Sequence, residues 1–227
     1  MTPIYSIWYS RSKLGWSKKK QRICRSSVSF YKRSVNCSLF VSFTILDKSI
    51  ANKTIIEELQ KSNLQLEIRN LHDLYPDFKI DVKAEQKALL QHETIVCQYP
   101  FFWLGIPAIL KQWFDVVFEY QFAYGSQGNK LKDKNFVPSF TVGSPENAYR
   151  TLGKHNFRIY EFYKSIEQTA HYAQMNYIEP IYFYGASSTG KYNTEANIKT
   201  YAKNHAKKLI ERINEIETNK ILEKWVF

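Results

Sequence analysis

The chain has 227 residues, 44% of them hydrophobic, and a formal net charge of +11. This length suits one ordinary α/β domain with extensions, and the apolar runs are too short and too broken by polar residues for a helical membrane span. The charge is uneven: nine of the 32 basic residues lie in 1–37, where no acid occurs, so the remaining 23 nearly balance all 21 acids and no nucleic-acid partner is implied.

Residues 1–37 read as a basic, serine-rich leader, expected to be disordered or mistranslated. From residue 38 strands and helices alternate. SLFVSF (38–43) is a candidate strand, and 50–61 is helical, with Ile50, Thr54, Ile55 and Leu59 on one face. LQLEIRNL (64–71) alternates as a strand does. VKAEQKALLQ (82–91) is a short helix and ETIVCQY (93–99) an apolar strand. A strongly apolar helix occupies 107–119. NFVPSFTV (135–142) is a strand blemished by Pro138, and 158–173 is helical. IEPIYFYG (178–185) reads as a fifth strand. The last helix, 195–217, carries Ile198, Tyr201, Ala202, His205, Leu209, Ile213 and Ile216 on one face. The domain is thus expected over 38–217, with 218–227 a tail. Five strands alternating with helices imply a parallel sheet covered on both faces.

The three cysteines, Cys24, Cys37 and Cys97, have no metal-ligand spacing. They read as reduced structural thiols in a cytoplasmic protein, with no metal site. His72, His92, His171 and His205 form no ligand grouping and read as structural or solvent-exposed. Lys111 and Asp115 stand one helical turn apart and suit an i,i+4 ion pair.

Two segments carry chemistry. DKSIAN (47–52) opens a helix after the first strand, with Ser49 as its N-cap. The unpaired N–H groups and partial positive charge of a helix start suit a phosphate, although a plain cap needs no ligand. The second is QYPFFWLGIPAILKQWFDVVFEYQFAYG (98–125). It places Phe101, Phe102 and Trp103 in the loop beyond a strand's carboxyl end, where open parallel sheets bind ligands. Three large aromatics in four positions are not expected to stand free in solvent.

Residues 98–125 resemble the NAD(P)H dehydrogenase (quinone) family, whose pattern runs Q-x-P-x-x-W-Y-x-x-P-A-x-L-K-x-W-x-D-x-V-x-x-x-G-F-A-Y-G. Pro100, Trp103, Pro107, Lys111, Trp113, Asp115 and Ala123-Tyr124-Gly125 match; Leu104 replaces a Tyr and Gln121 a Gly. The resemblance runs from about Asp47 to about Tyr184. It implies a flavodoxin-like three-layer sandwich with five parallel strands in the order 2-1-3-4-5. It also implies an FMN site. By resemblance, Ser49, Ile50, Ala51 and Asn52 cradle the phosphate, and Phe101, Phe102, Trp103 and Leu104 flank the isoalloxazine ring. Thr141, Val142, Gly143 and Ser144 stand for the family's T-T-G-G turn at the ring edge, with Ser144 strained if its φ must be positive. Tyr149 and His155 keep the spacing of a Tyr–His pair that mammalian-type members use to support charge during hydride transfer. The YPDFKID run (75–81) also matches, as a loop near the second strand.

The activity implied is FMN-dependent NAD(P)H:quinone oxidoreduction by a ping-pong mechanism, with NADH or NADPH as co-substrate, a quinone as acceptor and a homodimer as the working form. Two other readings are open: an FMN-binding ancillary subunit of a potassium efflux system, with a membrane transporter as partner, and a degenerate member that has lost flavin. The family begins with a strand ending A-H-P. Here Ser42-Phe43-Thr44 align with it, and the His and Pro are missing. A frame error or misassigned start, a targeting peptide, and a basic tail for anionic partners each fit the leader.

Overall fold

A computed structural model describes residues 36–41, 49–187, 189 and 191–223. The expected leader up to residue 35, the aligned Ser42-Phe43-Thr44 and residues 224–227 of the expected tail lie outside these residues, while Asn36 and Cys37, expected in the leader, begin β1. Strand β1 is Asn36–Val41, followed by helix α1 (Ile50–Gln60), β2 (Gln65–Asn70), a one-turn α2 (Leu71–Leu74) and α3 (Val82–Gln91). Then come β3 (Thr94–Pro100), α4 (Ala108–Val117), β4 (Asn135–Thr141) and a 3₁₀ turn at Glu146–Ala148. Helix α5 (Ile159–Tyr172), β5 (Asn176–Tyr177), β6 (Ile181–Phe183) and α6 (Glu195–Glu223) complete the chain.

All pairings in the sheet are parallel, in the order β2-β1-β3-β4-β5, with β6 also lying against β4. Every residue of β3 and β4 is buried, as expected for strands covered on both faces. Their side chains alternate between two cores. Ile95, Cys97, Tyr99, Phe136 and Phe140 pack with α3, α4 and α5. Val96 and Val137 pack with Ile55 and Leu59 of α1 and Ala202, Ala206 and Leu209 of α6. The result is a three-layer α/β sandwich.

The strand expected at 178–185 is broken. β5 pairs at Asn135↔Asn176 and β6 at Ser139↔Ile181, so three residues, 178–180, stand opposite two, Val137 and Pro138. The N–H groups of Ile178 and Val142 fix the alternation: Phe136 accepts from Ile178, and Val142 donates to Phe183. Pro138 therefore faces the same neighbour and has no N–H to give. A bulge at Pro138 and Pro180 is the low-cost solution. The tail boundary at 217 is also corrected. Helix α6 continues to Glu223, because no Gly or Pro interrupts 195–223.

One buried charge ties α4 to the sheet edge. Glu85 of α3 is fully buried. It accepts from Arg69 Nε at 3.0 Å and Nη2 at 2.5 Å, from Tyr75 Oη at 2.7 Å and from Trp113 Nε1 at 2.9 Å. The YPDFKID run thus supplies a core tyrosine, whose hydroxyl burial pushes up to about 12. By contrast, the Lys111–Asp115 pair on α4 forms as expected but is solvent-exposed and contributes only a few tenths of a kcal/mol. Replacing Glu85 by Ala would remove the buried carboxylate that Arg69, Tyr75 and Trp113 share, while Arg69 keeps its bond to Glu67. We expect Glu85→Ala to lower the unfolding free energy by about 3–5 kcal/mol, measured by urea titration; a loss below about 1 kcal/mol would show that the cluster is energetically idle.

Candidate functional site

The start of α1 and the carboxyl ends of β3 and β4 are joined by two bonds to Thr141. Its carbonyl accepts the Phe101 N–H at 2.8 Å. Its hydroxyl accepts from Asn52 Nδ2 at 3.1 Å. Asn52, Phe101 and Thr141, expected on separate loops, therefore meet at one edge of the sheet.

The first loop opens α1. Ser49 is an extended N-cap whose Oγ accepts the Asn52 N–H at 3.3 Å and Asn52 Nδ2 at 2.9 Å. No acid stands in the first turn. Ile50 and Ala51 N–H come before the first helical bond, which Lys53 N–H makes to Ser49, and have no partner among the described residues, the condition that suits an anion. Asn52 itself is 1% exposed; it turns inward, and both its amide hydrogens go to Ser49 and Thr141.

The second loop separates a buried base from an exposed tip. Phe101 is buried against Phe140, Tyr149 and Phe162. Trp103 (φ 45°) and Leu104 (φ 65°) are both left-handed. The Gly105 N–H donates to the Phe102 carbonyl at 3.0 Å, closing a tight turn of the I′ form without glycine at either central position. Of the three aromatics not expected to stand free in solvent, Phe101 is buried, whereas Trp103 is 98% exposed and Phe102 is exposed, as is the neighbouring Leu104. A turn with both central residues left-handed lifts both side chains off the surface.

The third loop is held from the β6 side. Val142 is fully buried; its N–H donates to Phe183 and its carbonyl accepts from Ala186. Ser144 accepts the Gly185 N–H at 3.0 Å. The strain considered for Ser144 does not arise, because its φ is not positive. A side chain at Gly143 would meet only Ser187 Cβ at 4.0 Å, so that face of the turn is open to a ligand.

Tyr149 and His155 come together across the 3₁₀ turn, their rings 4.5 Å apart. His155 Nε2 lies 3.1 Å from Ser144 Oγ, and His155 N–H donates to Ala148. Tyr149 is buried beside Phe101 and Tyr184. Burial raises the phenol's pKa, a bond to Ser144 opposing it slightly. Desolvation, then the charge of Lys154, lowers that of the imidazole. Both groups are neutral at pH 7.

Residues 41–209 match the model of a known family, described as having a flavodoxin-like fold. The chain belongs to that flavodoxin-like family. Its relatives include the NAD(P)H oxidoreductase YdeQ of Bacillus subtilis, 37% identical over 147 residues, 65% of this chain and 75% of YdeQ. The glutathione-regulated potassium-efflux system ancillary protein KefG of Serratia proteamaculans is 39% identical over 141 residues, 61% of this chain and 75% of KefG. Among solved structures, general stress protein 14 of Treponema denticola in complex with FMN superposes with a TM-score of 0.71 at 27% identity, covering 79% of this chain and 98% of that one.

The flavodoxin-like site has a buried polar floor that the sequence reading did not find. Asn52 Oδ1 accepts from Gln98 Nε2 at 2.8 Å, Gln98 Oε1 from Ser139 Oγ at 2.6 Å, and Ser139 Oγ lies 2.7 Å from His205 Nε2. The available signal was a polar residue on each otherwise apolar face, Gln98 in β3, Ser139 in β4 and His205 in α6. His205 is 3% exposed, and burial, with the charge of Lys208 second, pushes its pKa down to about 3. An unfolded histidine binds a proton below about pH 6.5, while folded His205 does not until about pH 3. Stability from this group is therefore complete above pH 6.5 and falls as the pH drops toward 3. We expect His205→Gln to flatten the acid limb of the stability curve in that window, read by thermal melts; an unchanged limb would remove His205 from the acid response.

Proposed function

We propose that this chain is an FMN-dependent NAD(P)H:quinone oxidoreductase working by a ping-pong mechanism. The observation that carries the reading is the joining of three loops through Thr141 at one edge of a parallel sheet, the place where such sheets bind ligands. The residues fit the cofactor. The Ile50 and Ala51 amides and the Ser49 and Thr141 hydroxyls suit its phosphate, and the open face of Gly143 and the loop 101–104 suit its ring. When bound, FMN supplies the capacity to accept hydride from NADH or NADPH and to pass two electrons to a quinone.

The chain's own residues supply binding, orientation and donors. Tyr149 keeps its proton because burial raises its pKa, and His155 stays neutral. Each thus offers a hydrogen-bond donor toward negative charge without itself adding positive charge. A groove of about 640 Å³ lies beside the site, lined by Leu104, Phe114, Phe118, Tyr124, Phe162 and Tyr172. Because Leu104 belongs to both groove and loop, a second copy of the chain seated there would complete the cofactor's surroundings, and we assign the homodimer to it.

A second reading draws on the exposed Phe102, Trp103 and Leu104; Leu152 and Phe157 are exposed as well. Large exposed apolar groups suit a protein partner, as in an ancillary subunit of a membrane transporter; KefG is such a relative by name. Among the described residues no helix is long and apolar enough to cross a membrane, so this chain would meet such a partner from outside the bilayer.

The purified protein is expected to be yellow and to oxidise NADH or NADPH when menadione is added. Yellow protein without turnover supports the ancillary reading; colourless protein that FMN cannot reconstitute supports a member without flavin. In the active enzyme, His155→Ala should lower kcat by about tenfold or more while FMN stays bound, followed by stopped-flow reduction; an unchanged rate would remove His155 from the mechanism. Trp103→Ala should change the unfolding free energy by no more than about 0.5 kcal/mol, since the side chain touches little. A larger loss in urea titration would contradict its exposed position.

A further inference from the structure

The buried polar floor has a direction, and His205 sets it. Four side chains link His205 to the start of α1: Ser139, Gln98, Asn52 and Ser49, with Thr141 as a branch at Asn52. Each link is one hydrogen bond, so the protons along the chain must all point one way. Two senses are possible. In the first, His205 Nε2–H donates to Ser139, Ser139 to Gln98 Oε1, Gln98 Nε2 to Asn52 Oδ1, and Asn52 Nδ2 to both Ser49 and Thr141. The hydroxyl protons of Ser49 and Thr141 are then left over and point away from the floor. In the second, both amides are flipped. Ser49 and Thr141 then spend their protons on Asn52, and the chain ends with Ser139 donating to His205 Nε2.

His205 Nδ1 separates the two. This atom is buried and has no partner among the described residues. In the first sense it is a bare lone pair; in the second it is an orphaned N–H. Orphaned buried N–H groups are rare, and only the first sense avoids one at Nδ1. The ring is also neutral, as its burial demands, so it carries only one of the two protons. The first sense wins.

We propose that His205 is a positioning residue whose Nε2–H tautomer polarises the Ser139–Gln98–Asn52 relay, so that the Ser49 and Thr141 hydroxyls present protons to a phosphate monoester at the start of α1. This rests on the FMN reading for the identity of the phosphate and extends it to a residue on α6, the helix that packs beside α1 on the same face of the sheet. Together with the Ile50 and Ala51 amides, the site becomes one of donors only. A ligand without the phosphate, such as riboflavin, gains nothing from the relay.

Two measurements test this. Long-range ¹H–¹⁵N spectra of the labelled protein report the His205 tautomer directly. Protonated Nε2 with bare Nδ1 is expected; protonated Nδ1 overturns the proposal. Flavin fluorescence quenching then gives Kd for FMN and riboflavin in the wild type, His205→Leu and His205→Gln. His205→Leu removes the first donor and should weaken FMN by about tenfold relative to riboflavin, because hydrogen bonds to a charged group are the strong ones. His205→Gln keeps a donor at the Nε2 position and should restore the FMN-to-riboflavin ratio to within about threefold. An equal loss for both flavins, or no rescue by Gln, makes His205 merely structural and overturns the proposal. If the wild type binds neither flavin, the oxidoreductase reading falls, and the relay stands or falls on the tautomer alone.

Discussion

Thr141 is the residue through which the three loops become one site. Its carbonyl belongs to the β4 ladder and takes the Phe101 N–H; its hydroxyl leaves the ladder and takes Asn52 Nδ2. One residue therefore fixes the β3 loop by backbone and the α1 start by side chain. Neither bond alone would suffice. A loop joined only through its strand can still tilt, and a helix start held only by its own cap has no register against the sheet. The pair gives two constraints with different directions at one Cα.

The cost of this arrangement is polar groups in a fully buried parallel sheet. Gln98, Ser139 and Thr141 all face the α1–α6 layer, where Val96 and Val137 pack against leucine and alanine. Buried polar groups need partners, and these find them in one another and in Asn52 and His205. The same logic holds at the other face, where Glu85 collects Arg69, Tyr75 and Trp113. The two clusters divide the work. The Glu85 cluster fixes where α4 sits, and α4 follows the aromatic loop in the chain. The Asn52 cluster fixes where α1 begins. Between them, both approaches to the β3 loop are set by polar pairing inside an otherwise apolar interior.

What was legible in the sequence follows from how far apart the partners stand. Helix 82–91 reads directly, because its cap Asp81 and its apolar spacing are local. Strands β3 and β4 read well for the same reason: each is a local apolar run. The four-residue helix Leu71–Leu74 did not, since one turn has no periodicity to detect. The last strand misread because its break depends on Pro138 in another strand. The relay was invisible for a stronger version of this reason. Ser139 is 66 residues from His205 and 41 from Gln98, and only the strand order brings them together. A histidine on the apolar stripe of a helix looks structural until the serine beneath it is known.

The turn at Phe102–Gly105 shows what the fold retains against its own preference. Trp103 and Leu104 each occupy left-handed backbone, which costs a residue with a side chain about 1–2 kcal/mol. Glycine at both positions would relieve the strain and keep the Gly105–Phe102 bond. Folding therefore gains nothing from an indole there, least of all one that is 98% exposed. Burial cannot explain Trp103, nor can the turn. On the proposed reading, a planar ligand at the turn, or a second copy seated in the groove that Leu104 shares with Phe114 and Tyr124, would supply the contact that offsets this strain.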